Sequence, residues 1–129
     1  MEKKNNSMKN IKKESIEDKL RNIQKNLRET FLLFISENLI DSKKIELIGD
    51  IESSIKQKIE DSAKDKYQNL NEQFSELRKS GTDLGVLNFK LMMIPLKIKV
   101  LLATYDKKDA ENLIKRLKEI ESGLNQIKN

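Results

Sequence analysis

Residues 79–104, KSGTDLGVLNFKLMMIPLKIKVLLAT, decide how this chain is to be read. They open on the sharpest punctuation in the sequence and run into its most apolar segment. Gly81 has no Cβ and takes the left-handed conformation that closes a helix, while Thr82 offers a hydroxyl to cap the next one. A tight reversal is expected there. From Asp83 to Thr104 the apolar side chains fall into two helical stripes. One is Leu84, Leu87, Leu91, Ile94, Ile98 and Leu101; the other is Val86, Phe89, Met93, Leu96, Val100 and Ala103. A helix with two such faces is expected to lie centrally, with neighbours on both sides. Pro95 sits inside the segment and deprives the Leu91 carbonyl of its amide partner, so a kink is expected.

The flanking sequence supplies partners for this helix. Asp106 is placed to cap a following helix over 107–127, with Asp109 where a capping box puts its acid. Ala110, Leu113, Leu117, Ile120, Leu124 and Ile127 alternate by three and four, and Gly123 is expected to loosen the last turn. Two helices of similar length joined by so short a link predict an antiparallel hairpin. Upstream, one long helix over 42–80 carries Ile45, Ile48, Ile51, Ile55, Ile59, Ala63, Tyr67, Leu70, Phe74 and Leu77 on one face. Its roughly 38 residues would make a rod of about 57 Å, weakened at Gly49 by about 1 kcal/mol relative to alanine. Between Lys56 and Gln73 it offers one apolar contact per turn, which reads as a coiled-coil-like seam. A first helix over 15–40, capped by Ser15, carries Ile16, Leu20, Ile23, Leu27, Phe31 and Phe34. The reading is therefore all-α: a basic arm over 1–14, then a single domain over 15–129. That domain is an elongated antiparallel bundle of about four helices, one of them long, ending in a helical hairpin.

Composition narrows the chemistry. The 129 residues contain no His and no Cys, so the commonest general base, the thiol nucleophile and the main transition-metal ligands are missing. The four glycines are scattered and form no phosphate-binding loop. Acid pairs such as Asp61 and Asp65 read as solvated charges on a polar face. No catalytic residue, metal ligand or cofactor is expected, and no small-molecule substrate is evident. No stretch has the ~20 apolar residues of a membrane span; the best, Leu84 to Ala103, is interrupted by Lys90, Lys97 and Lys99. Nothing near the N-terminus resembles a signal peptide, and the cytoplasm is the expected compartment.

Two partner classes follow. The formal charge is +5, and residues 1–13 account for most of it, with Lys3, Lys4, Lys9, Lys12 and Lys13 against the single acid Glu2. Such an arm suits unspecific contact with nucleic-acid phosphates, extended by Lys19, Arg21, Lys25 and Arg28, or is simply a solvated terminus. No aromatic platform for stacking bases accompanies it. The better-supported class is a non-enzymatic interaction or scaffold module, adaptor-like or chaperone-like, that binds a protein partner or a second copy of itself. Two surfaces are candidates: Ile59, Tyr67, Leu70 and Phe74 on the long helix, which the shorter first helix covers only in part, and Met92 and Met93, adaptable side chains on the apolar helix. The competing reading is that the C-terminal hairpin folds back along the long helix and buries its stripe within one chain.

Overall fold

A computed structural model describes residues 18–129. Among them are five α-helices and no strand: α1 Lys25–Ser36, α2 Ile51–Lys79, α3 Val86–Met92, α4 Ile94–Thr104 and α5 Lys107–Lys128. Residues 18–21 are also helical, and Ser42–Lys44 form one 3₁₀ turn. The chain is an all-α helical bundle. The expected arm over 1–14 and the cap at Ser15 lie outside the described residues.

The helices close around one core. α1 packs on α2 and α5, and the α3–α4 pair packs on the same two helices from another side. Phe31, Phe34, Ile55, Ile59, Phe74, Ile94, Leu101, Leu113 and Ile120 are fully buried between them. The hairpin of α4 and α5 turns at Tyr105 and Asp106. Tyr105 adopts φ 49 there, uncommon for a residue with a side chain, and its carbonyl accepts a 2.9 Å hydrogen bond from the buried Thr30 hydroxyl of α1. Lys56 of α2 places its ammonium 5.4 Å from the Tyr105 ring centroid. Burial, and secondarily the charge of Glu60, pushes the Tyr105 phenol above its ordinary range.

The helix boundaries correct several expectations. The first helix is broken at residues 22–24 rather than continuous over 15–40, and it ends at Ser36 with Asn38 in the left-handed region at φ 61. The long helix starts at Ile51, not near 42. Gly49 has φ +74, which no helix interior accommodates, and Asp50 accepts from the Ser53 amide at 3.1 Å and from its hydroxyl at 2.6 Å. The helix therefore has 29 residues, roughly 43 Å, and Ile48 before it points into solvent. Gly81 closes it at φ +84 as expected, the Thr82 amide donating to the Leu77 carbonyl at 3.0 Å. The next helix is entered through Gly85 at φ 48 rather than capped by Thr82. At the last junction Asp106 accepts from the Lys108 amide, but Asp109 bonds the Thr104 hydroxyl instead of closing a capping box. Gly123 is not a loose end either: a Cβ on it would strike the Leu87 side chain, so it marks a close approach of α3 to α5.

Candidate interaction surface

The α3–α4 pair is where sequence and burial diverge most. Its first stripe enters the core as expected: Leu84, Leu91, Ile94, Ile98 and Leu101 are buried, and Leu87 is partly buried against Gly123. Its second stripe stays largely uncovered. Val86, Phe89, Leu96 and Val100 are 43–70% exposed, Met93 is 38% exposed and Met92 67%. Ala103 is also exposed. The segment is thus not central with neighbours on both sides. α2 and α5 both contact it through one face, and the opposite apolar face looks outward.

Where a kink at Pro95 is expected, the helical run is interrupted at Met93, which separates α3 from α4. Pro95 falls in the first turn of α4, where its missing amide is least disruptive. The borders of the exposed face are polar and anchored. On the α5 side, Lys90 and Arg116 reach Glu119 at 3.2 and 3.0 Å. The Lys90 hydrogen bond, aided by the surrounding cations, holds the Glu119 carboxyl below its ordinary value. On the α2 side, Arg78 donates to Asn88 at 2.8 Å.

The other sequence candidates fall elsewhere. Ile59, Leu70 and Phe74 are at most 1% exposed and Tyr67 is partly buried against the core, which corrects their assignment as a partner-binding seam. The reason is geometric. α2 is shorter than expected, and α1 together with α3 and α4 is enough to cover its stripe within one chain. Met92 and Met93 remain at the surface, within the exposed face. Lys3, Lys4, Lys9, Lys12 and Lys13 lie outside the described residues. The basic residues that would extend that arm are engaged: Lys19 donates to the Leu47 carbonyl, Arg21 pairs with Asp18, Lys25 with Glu29, and Arg28 donates to the Leu20 carbonyl.

Elsewhere, a groove of about 710 Å³ lies between the α1–α2 connection, α2 and α5. Its walls carry both signs of charge, and its ion pairs Lys118–Glu37 and Lys66–Glu121 tie α5 to α1 and α2. Asp61 within it accepts from Gln57 at 2.9 Å. Among the described residues no three acidic side chains converge as metal ligands, and no helix is long and apolar enough to cross a membrane. The feature that sequence reasoning missed is that the second stripe is unoccupied; periodicity reports that a face is apolar and is silent on what covers it. No protein-family model, no curated protein and no solved structure matches the chain.

Proposed function

We propose that this chain is a non-enzymatic helical interaction module that docks a protein partner on the outer face of α3 and α4. One observation carries the reading: six large apolar side chains, among them Phe89, Leu96 and two methionines, lie exposed along one face of the helix pair, opposite the face that enters the core. Scattered exposed hydrophobics are ordinary on a protein surface, whereas here they are gathered on one helical face, and the largest apolar patch of a protein is often functional. Met92 and Met93 add side chains that adapt to a partner's contour. The absence of His and Cys from the whole sequence fits a binding role better than a catalytic one.

Site-specific photo-crosslinking tests this directly. A benzophenone amino acid placed at Phe89 or Leu96 in natively expressing cells is expected to trap a discrete protein partner, and the same group at Gln57 on α2 is not. Equal trapping at all three positions, or none at any, would sink the proposal.

A further inference from the structure

The exposed face has the register of one half of a coiled coil. Val86, Met93 and Val100 recur every seven residues, and Phe89, Leu96 and Ala103 recur at the intervening position, giving a continuous three-four alternation. The break at Met93 does not shift its phase. Met93 keeps φ −83 and ψ −13, in the right-handed helical region, and its carbonyl accepts from the Lys97 amide at 3.2 Å. The positions that border such a seam fall on Lys90 and Lys97 along one edge and on Met92 and Lys99 along the other. No acid occurs between residues 84 and 105. Lys90 is drawn toward Glu119, while Lys97 and Lys99 have no ion-pair partner among the described residues.

We propose that this seam receives one α-helix of a partner protein, whose own apolar seam is flanked by glutamate or aspartate. The inference rests on the docking role of this face. Two physical arguments select the occupant. Border positions of a coiled coil set partner choice through charge, and here three of the four are lysines, of which Lys97 and Lys99 have no ion-pair partner among the described residues. A second copy of this chain would bring lysines toward lysines with no acid to receive them. The footprint is also that of a single helix. At 100° per residue the exposed side chains span a sector of about 120°, and from Val86 to Ala103 they run roughly 26 Å.

The test titrates the full chain with two labelled three-heptad peptides that share leucine and isoleucine seams and differ only in their flanking residues. One carries glutamate and the other lysine. Glutamate flanks are expected to bind at least tenfold tighter at low salt, with the advantage shrinking as salt screens the pairs. The double variant Lys97→Glu/Lys99→Glu, its fold verified by circular dichroism, is expected to reverse the preference. Equal binding of both peptides, or binding of neither, overturns the acidic-helix inference; the crosslinking at Phe89 and Leu96 decides separately whether the face docks proteins at all. Capture by phosphatidylserine vesicles that Leu96→Glu abolishes, with neither peptide bound, would assign the face to an anionic lipid surface. A dimer in sedimentation equilibrium that Leu96→Glu dissociates would assign it to a second copy. Either result replaces the proposed occupant.

Discussion

Replacing Gly123 by alanine sets two effects of similar size against each other. Gly123 lies within α5 on ordinary helical backbone, where alanine is favoured by about 1 kcal/mol. A Cβ at this position, however, would lie 2.5 Å from Leu87 Cδ2, 2.6 Å from Cδ1 and 3.0 Å from Cγ. Favourable carbon contacts need about 3.5–4.0 Å, so the whole isobutyl end of Leu87 would have to withdraw by about an ångström. Leu87 packs against the core, and crowding of that kind costs roughly 1–3 kcal/mol. The net expectation is a loss of about 1 kcal/mol despite the gain in propensity. A double-mutant cycle isolates the clash. In a Leu87→Ala background the obstruction is gone, and Gly123→Ala is expected to stabilise by about 1 kcal/mol, for a coupling of about 2 kcal/mol. Urea denaturation of the four proteins, followed by circular dichroism, measures each term. A Gly123→Ala change that stabilises equally in both backgrounds refutes the claim that Leu87 occupies the space of the missing side chain.

Three further outcomes follow from the geometry. Gly81→Ala is expected to lower stability by about 1 kcal/mol in chemical denaturation, because φ +84 is strained for alanine even though the space around it is open. Thr30→Val preserves shape but leaves the Tyr105 carbonyl without its donor in a partly buried site; a loss of about 1 kcal/mol is expected, and an unchanged urea midpoint would argue against the bond. Asp50 is held below its ordinary carboxyl pKa by the Ser53 hydroxyl and amide, and secondarily by Lys56. Its depressed pKa contributes stability that is present above pH 3.8, the ordinary value, and is lost as pH falls through the folded value. Asp50→Ala is therefore expected to lower the melting temperature at neutral pH and to flatten its decline in acid.

Periodicity made most of the core legible. The stripes Leu27–Phe31–Phe34, Ile55–Ile59–Ala63 and Leu113–Leu117–Ile120 are buried as their spacing predicts, and the reversal at Gly81 is where glycine chemistry puts it. Misreading arose where apolar spacing continued through a change of backbone. Ile45 and Ile48 keep the phase of α2, yet Gly49 at positive φ and the Asp50–Ser53 cap start the helix after them. Glycine followed by a capping acid was the available signal, and the apolar spacing across it masked the boundary. The exposed α3–α4 face was visible as a pattern, with Met92 and Met93 singled out on it, but its exposure was not legible. Val86, Phe89 and Leu96 are chemically indistinguishable from the core residues beside them, and only the packing of α2 and α5 on one side of the segment shows which stripe is left over.

Pro95 has a consequence for motion. It has no amide to donate in the first turn of α4, and the helical run is interrupted at Met93, leaving α3 and α4 as two helices that share one apolar face. α3 has seven residues, no side-chain cap at its start, and a single buried residue, Leu91. α4 carries Ile94, Ile98 and Leu101 into the core. Local opening in such an arrangement begins in the unit with less buried area, so amide protons in α3 exchange with solvent ahead of those in α4. A helix lying along both units would stitch them together across the interruption at Met93. Slowed exchange in α3 alone then becomes a label-free gauge of whether the face is occupied.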